Sequence, residues 1–153
     1  MTLIVFLDFD GVLHPDYETY DLPDCQMFCR LPQLERILRD FPNVDIVISS
    51  MWRYQFTLDQ LRARFSPDIA LRIIGKLPQS EYFDSSYVRA RREKEISSWL
   101  IDAERTAESW VALDDCAWHF QLCRDHLVVC NGYTGLNDQA EALLRTIFQS
   151  ESG

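Results

Sequence analysis

The chain opens on a short apolar run, Leu3–Leu7, which stops at two carboxylates and a glycine in the sequence Asp8-Phe-Asp10-Gly11. A run this short and this apolar is typical of a strand buried on both faces of a parallel sheet. In open α/β sheets, ligands bind at the carboxyl ends of the strands. Because burying an unpartnered carboxylate is costly, we expect a positive group beside Asp8 and Asp10.

Further short apolar runs follow, and segments with helical periodicity separate them. Strands that alternate with helices in this way predict an α/β fold, a doubly wound and mostly parallel five-stranded sheet of the Rossmann-like kind. The predicted strands are Leu3–Leu7, Val44–Ile48, Leu71–Ile74, Trp110–Leu113 and Leu127–Cys130.

Helical periodicity and capping residues predict the helices. They are expected over residues 31–41, after the capping box Thr57-Leu-Asp-Gln60, over Arg89–Ile101, and after Asn137. The last helix is predicted to bury Leu143, Leu144, Ile147 and Phe148. We expect a single domain over residues 1–149 and a frayed tail over residues 150–153.

The net charge and the cysteines indicate which partners and which cellular compartment to expect. The chain has 153 residues and a formal net charge of −9, which argues against stable binding to nucleic acid or to an anionic membrane. No apolar stretch approaches membrane-spanning length, and the N-terminus does not resemble a signal peptide. The five cysteines include no Cys-x-x-Cys pair and are typical of free thiols, so we expect a cytoplasmic protein.

Polar side chains end three of the predicted strands. Asp8 and Asp10 follow the first strand, Ser49 and Ser50 the second, and Asp114 and Asp115 the fourth. The carboxyl ends of parallel strands lie at one edge of the sheet, so these sets are expected to converge. Carboxylates crowded into one crevice repel one another unless a cation neutralises them. Oxygen ligands beside a phosphate site suit Mg²⁺, which we expect the four carboxylates to bind.

The motifs resemble those of the haloacid dehalogenase (HAD) superfamily of phosphohydrolases. Asp8-Phe-Asp10-Gly11-Val resembles the first motif, Ser49 at the end of VDIVIS the second, and Asp114-Asp115 at the end of WVALDD the fourth. The third motif is a Lys or Arg, for which Arg89, Arg91, Arg92 and Lys94 compete; we choose Arg92, with Lys94 second. The segments FLDFDGVLHP, SSMWR, WVALDD and Gly135-Leu136 resemble more narrowly the HAD domain of Swiss army knife RNA-repair proteins.

The resemblance implies a role for each carboxylate. Asp8 is expected to be the nucleophile that forms an aspartyl-phosphate. Asp10 is expected to protonate the leaving oxygen and then accept a proton from water, for which its pKa must lie above that of Asp8. The metal is expected on Asp8, Asp115 and the backbone carbonyl of Asp10. Position 119 is His where commoner family members have a second acid, so Asp114 is expected to orient a metal-bound water.

The resemblance also implies how the phosphate is bound. Ser49 and backbone N–H groups are expected to contact the phosphoryl oxygens, with Ser50 as a second candidate. Arg92 or Lys94 is expected to balance the charge of those oxygens, and Gly11 to let the chain turn tightly beneath the phosphate.

Several other side chains have simpler explanations. For Arg53 a structural ion pair is favoured over a substrate contact. Among the histidines only His14 follows the first motif closely enough to be a candidate, and Trp52 is either a core aromatic or a platform for a base. The long connections His14–Arg30 and Lys76–Val88 are candidate lids or substrate walls.

The sequence therefore predicts a Mg²⁺-dependent phosphomonoester hydrolase of the HAD type. The insert between Asp10 and the first helix is too short for a large cap domain, so the crevice is expected to be open to a phosphorylated small molecule or a nucleic-acid end. Two alternatives stay open. One is a catalytically idle HAD-fold binding module, which the presence of Asp8 and Asp10 disfavours. The other is phosphotransfer to an acceptor other than water.

Overall fold

The structure is a computed structural model that describes residues 2–16, 23, 26–79 and 90–152. Arg89, Cys25 and parts of the two long connections lie outside these residues, so the predictions made for them stay predictions. None of the helices in the described part of the chain is long and apolar enough to cross a membrane.

Five strands form one sheet in which all neighbouring strands run parallel. They are β1 (Leu3–Leu7), β2 (Val44–Ile48), β3 (Ile73–Lys76), β4 (Ser109–Asp114) and β5 (Leu127–Val129). The order is β3-β2-β1-β4-β5, so β1 is the central strand and pairs on both sides. Every residue of β1 is buried, which explains its unbroken apolar sequence.

Helices cover both faces of this sheet. They are α1 (Leu31–Asp40), α2 (Leu58–Arg62), α3 (Pro67–Ala70), α4 (Arg91–Asp102) and α5 (Asp138–Ser152). Leu3, Val5 and Leu7 share a buried cluster with side chains of α1 and α5, whereas Ile4 and Phe6 share a second cluster with α4. The predicted doubly wound, Rossmann-like α/β fold is confirmed, and the described residues include no large cap domain.

Both predicted helix caps are present. The Thr57 hydroxyl accepts from the Gln60 backbone N–H at 3.2 Å, and the Gln60 side chain accepts from the Thr57 N–H at 2.8 Å. The Asn137 side chain accepts from the Ala140 N–H at 2.9 Å at the start of α5. These bonds satisfy N–H groups that the helices cannot pair internally.

The third strand lies at residues 73–76 rather than 71–74. Leu71 is 86% exposed and follows α3, a short helix that the hydropathy pattern did not predict. Arg72 fixes the turn before the strand, because its guanidinium donates to the carbonyls of Leu38, Phe41 and Val44 at 2.6–3.0 Å. The apolar residue at position 71 thus belongs to a turn and not to the sheet.

The last helix continues to Ser152, past the predicted end at residue 149. The Ser109 hydroxyl donates to Glu151 at 2.5 Å and ties this end of the helix to β4. The predicted inner face needs one correction, because Leu143 is 49% exposed. Leu144 and Phe148 point into the core, and Leu143 lies beside the exposed Val129 at the open edge of the sheet.

The first motif directly follows β1, so the position of Asp8 depends on how β1 packs in the core. Leu7→Ala is expected to lower the free energy of unfolding by about 2–5 kcal/mol, since it leaves a cavity at a fully buried position. Leu71→Ala, at an exposed position, is the matched control and is expected to change it by less than about 0.5 kcal/mol. Urea unfolding measures both free energies. An equal loss of stability in the two variants would contradict the burial of Leu7 and the exposure of Leu71.

Candidate active site

Two neighbouring strands bring three carboxylates together at the carboxyl edge of the sheet. Leu7 of β1 pairs in register with Leu113 of β4, and the Asp8 backbone N–H donates to the Leu113 carbonyl at 3.1 Å. Asp8 directly follows β1, Asp114 is the last residue of β4 and Asp115 follows it, so the three residues lie at the same level of the sheet edge. Each offers one carboxylate oxygen, and the three oxygens lie within 4.8 Å of one another.

Two glycines leave room for the Asp115 carboxylate. A Cβ on Gly11 would lie 2.2 Å from Asp115 Oδ2, and a Cβ on Gly132 would lie 3.0 Å from the same oxygen. Gly11 also has a φ of +78°, a conformation that favours glycine. The positive φ agrees with the tight turn expected at Gly11, and the place of this turn beneath a bound phosphate stays a prediction. The structure adds a second reason for glycine here, because a Cβ would collide with the Asp115 side chain.

Burial and mutual repulsion make the ionised forms of these carboxylates costly. Desolvation, followed by the charge of Asp114, raises the pKa of Asp8 well above its usual value, and the charge of Arg92 only partly opposes this. Burial and the charge of Asp114 raise the pKa of Asp115 to about 7. A set of crowded oxygen donors with excess negative charge fits a hard divalent cation, so these three residues can hold a metal ion.

Arg92 is the basic residue that the structure places beside the carboxylates. It lies in the first turn of α4, its side chain is 4% exposed, and its Nε lies 3.6 Å from Asp114 Oδ2. Neither of these two atoms has a hydrogen-bond partner among the described residues. Lys94 is exposed and forms no ion pair with the described residues, so we place it outside the site. Arg91 instead contacts Met51 and Glu95.

A buried glutamate on α4 connects the second and third motifs. Glu95 accepts from Arg92 at 3.2 Å and forms an ion pair with Arg53. Arg53 has no exposed side-chain surface and also donates to the carbonyls of Ser49 and Ser50 at 2.8 and 3.1 Å. Arg53 is thus a structural residue, the alternative that the sequence analysis favoured, and it fixes the backbone that follows β2.

The two serines after β2 have different surroundings. Both are buried, and the Ser49 N–H donates to the Leu7 carbonyl at 2.9 Å, which places Ser49 next to Asp8 at the sheet edge. The Ser50 hydroxyl accepts from the Trp52 N–H at 3.2 Å and caps the 3₁₀ turn Met51–Tyr54. Of the two, Ser49 is the better candidate for a phosphate contact, and Ser50 positions Trp52.

The Asp10 side chain contacts two residues that the sequence analysis did not connect with it. Its Oδ1 lies 2.7 Å from His14 Nε2 and accepts from Trp52 Nε1 at 3.1 Å. Burial alone would raise the pKa of Asp10, but the hydrogen bonds from His14 and Trp52 hold that pKa below its usual value. The pKa of Asp10 therefore lies below that of Asp8, the reverse of the order that the family resemblance implied.

His119 occupies the position where commoner family members have a second acid. It is half-buried, and burial together with the charge of Arg92 lowers the pKa of its imidazole. An imidazole adds no negative charge, so among the described residues Asp8, Asp114 and Asp115 are the acidic group that could hold a metal ion at this edge of the sheet.

Comparison with known proteins agrees with the geometry. A family model described as the HAD domain in Swiss Army Knife RNA repair proteins matches residues 4–140. The chain belongs to this HAD family. The matched segment contains Asp8, Ser49, Arg92 and the Asp114-Asp115 pair, the residues that meet at the sheet edge. A search of curated proteins found no match. Membership of the HAD family suggests a phosphohydrolase-type activity.

Glu95 of the HAD domain provides a test of the buried network. Glu95→Gln is expected to lower the free energy of unfolding by about 3–5 kcal/mol, because it leaves buried arginine charge without its counter-ion. The control is Asp59→Asn, which breaks a pair with Arg62 at 3.2 Å in which Asp59 is 93% exposed. That change is expected to cost less than about 1 kcal/mol in urea unfolding. Equal losses would contradict the network.

The raised pKa of Asp115 predicts how stability varies with pH in a chelating buffer. An unfolded Asp titrates near pH 3.9, so the folded state opposes ionisation and becomes less stable as pH rises from about 4 through 7. Asp115→Asn removes this penalty. Its Tm is expected to exceed that of the wild type by about 2–4 °C at pH 8, the shift typical of about 1 kcal/mol, and by less at pH 5.5.

Scanning calorimetry at the two pH values measures this difference. The control is Asp125→Asn, whose side chain is 82% exposed, and for it no such pH-dependent gain is expected. An Asp115→Asn protein that is less stable than the wild type at pH 8, or equally shifted at both pH values, would contradict the repulsion described above.

Proposed function

We propose that the protein is a Mg²⁺-dependent phosphomonoester hydrolase that acts through an aspartyl-phosphate on Asp8. The observation that carries this proposal is the meeting of three carboxylates with one buried arginine at the sheet edge. Such a site suits a reaction in which positioning and charge stabilisation do most of the catalysis, as in phosphoryl transfer. Family membership supports the general class of reaction.

Asp8 is the proposed nucleophile. The residue is 8% exposed, and one carboxylate oxygen, Oδ1, accepts from the Phe9 N–H at 2.9 Å, which fixes the orientation of the group. In the first half-reaction an Asp8 oxygen bonds to phosphorus as the bond from phosphorus to the ester oxygen breaks. Arg92 favours the ionised form of Asp8 and balances the charge on the phosphoryl oxygens.

Mg²⁺ is the proposed cofactor, with Asp8, Asp115 and the backbone carbonyl of Asp10 as ligands and Asp114 beside them. The crowded oxygen donors and the space left by Gly11 and Gly132 around Asp115 fit a hard cation. When bound, the ion would offset the charge that gathers at the phosphoryl group and favour the ionised form of Asp8.

Asp10 is the proposed general acid and base. It protonates the leaving oxygen in the first half-reaction and takes a proton from the attacking water in the second. Because its pKa is held below the usual value, Asp10 must gain a proton when substrate binds, and the nearby negative charge of a phosphate dianion raises the pKa of a carboxyl group. Ser49 is the proposed hydrogen-bond donor to a phosphoryl oxygen.

Nucleotides and polynucleotide ends are the proposed substrates, because the matched family is found in RNA repair proteins. The net charge of −9 favours brief contact with a phosphorylated end over stable binding along a nucleic acid. A cytoplasmic location is part of the proposal, since the four cysteines in the described ranges are free thiols.

Turnover of 4-nitrophenyl phosphate, and of oligonucleotides with a 3′- or a 5′-phosphate, tests this function. We expect activity with Mg²⁺, loss of activity with EDTA, and recovery when Mg²⁺ is added back. Asp8→Asn is expected to lower kcat by at least about 10³-fold with an unchanged circular dichroism spectrum, since it removes the nucleophile. Asp125→Asn is the control and is expected to retain wild-type activity. A wild-type protein that is inactive on the whole panel, or active in EDTA, would contradict the proposal.

A further inference from the structure

Two aromatic ring nitrogens point at the same oxygen of Asp10. His14 Nε2 lies 2.7 Å from Asp10 Oδ1 and Trp52 Nε1 lies 3.1 Å from it. An indole N–H can only donate, so Oδ1 must act as an acceptor. The Asp10 side chain is 44% exposed, and both of its side-chain contacts with the described residues fall on Oδ1, so we assign Oδ2 to the substrate.

The surroundings of His14 fix which of its nitrogens carries the proton. The Phe28 backbone N–H points at His14 Nδ1 at 3.4 Å, so Nδ1 acts as the acceptor and the hydrogen is assigned to Nε2. Nε2 therefore donates to Asp10. His14 is 2% exposed and packs edge-on against the Phe28 ring, with the centroids 5.3 Å apart, which leaves the imidazole little freedom to turn.

The backbone at Phe28 and in the Met51–Tyr54 turn positions the two donors, His14 and Trp52. Phe28 has a φ of 57°, in the left-handed region. This conformation is energetically unfavourable for any residue other than glycine, and such strain is common at functional sites. This conformation accompanies the contact of its N–H with His14. Trp52 lies in a 3₁₀ turn capped by Ser50, and its ring packs against Phe28 and Phe56.

We infer that His14 and Trp52 are positioning residues that hold Asp10 by Oδ1 and assign the transferred proton to Oδ2. The inference rests on the proposed function. In the first half-reaction the proton leaves Oδ2 for the ester oxygen as the bond to phosphorus breaks. In the second, Oδ2 takes a proton from water as the water oxygen bonds to phosphorus and the bond from Asp8 to phosphorus breaks.

This arrangement suits a group that must act first as an acid and then as a base. A carboxylic acid protonated on Oδ2 still accepts hydrogen bonds at Oδ1, and so does the carboxylate. The two ring contacts therefore persist in both states, and the proton-carrying oxygen keeps its place between the half-reactions. Catalysis of this kind depends on holding the acid within hydrogen-bond reach of the leaving oxygen.

Leaving-group dependence separates positioning from a merely structural role. Phenyl phosphate has a poor leaving group that needs protonation, whereas 4-nitrophenyl phosphate leaves with little assistance. Trp52→Phe, which keeps an aromatic ring and removes the donor, is expected to lower kcat/KM for phenyl phosphate about tenfold and to change that for 4-nitrophenyl phosphate less than about twofold. His14→Phe is expected to act in the same direction, and His14→Gln, with an amide donor, to recover part of the loss.

Phe56→Leu is the matched control, because Phe56 packs 5.4 Å from Trp52 and carries no donor. It is expected to leave the ratio of the two substrates unchanged. The Tm of every variant is measured to check that it folds. If His14→Phe does not fold, Trp52→Phe alone decides the test. Equal losses on both substrates, or no loss on either, would overturn the positioning role while leaving the hydrolase intact. A wild-type protein inactive on both phosphates would instead overturn the proposed function.

Discussion

Three carboxylates at one edge of the sheet, those of Asp8, Asp114 and Asp115, are held within 4.8 Å of one another by the register of β1 with β4. Asp8 and Asp114 are buried and Asp115 is half-buried, so water screens the repulsion between the three carboxylates only in part. Burial, and after it the charge of Asp114, raises the pKa values of Asp8 and Asp115. Such a cluster of carboxylates needs positive charge nearby. Arg92 supplies it from the protein, and the contacts of Glu95 and Arg53 hold Arg92 in place.

Arg92 is the positive group on the protein side, and its position depends on a chain of contacts. Glu95 accepts from Arg92 and pairs with Arg53, and Arg53 in turn binds the carbonyls of Ser49 and Ser50. The loop after β2 and the first turn of α4 are therefore fixed relative to each other. The same loop continues into the turn that presents Trp52 to Asp10. The Glu95–Arg53 pair therefore helps to position both Arg92, which balances the carboxylate charge, and the turn whose Trp52 contacts Asp10.

The sequence predicted the features that have a local signal. An unbroken apolar run marked β1, and the short motifs at the strand ends marked the carboxylates and Ser49. The bounds of β3 could not be predicted, because Leu71 is apolar yet exposed and the turn depends on Arg72 contacting distant carbonyls. The contact of Trp52 with Asp10 spans 42 residues, so no periodicity could indicate it. His14 lies only four residues after Asp10, and that spacing was the one available signal.

Asp8 is the proposed nucleophile, and Arg92 together with a bound cation would favour its ionised form against burial and the charge of the neighbouring carboxylates. The most direct measurement stops turnover of a phosphorylated substrate with acid within milliseconds and maps the protein by mass spectrometry. We expect a phosphoryl group on the peptide that contains Asp8, labile to hydroxylamine and absent from the Asp8→Asn protein. Turnover in which the substrate phosphorus is attacked directly by water, with no phosphorylated Asp8 at any quench time, would contradict it.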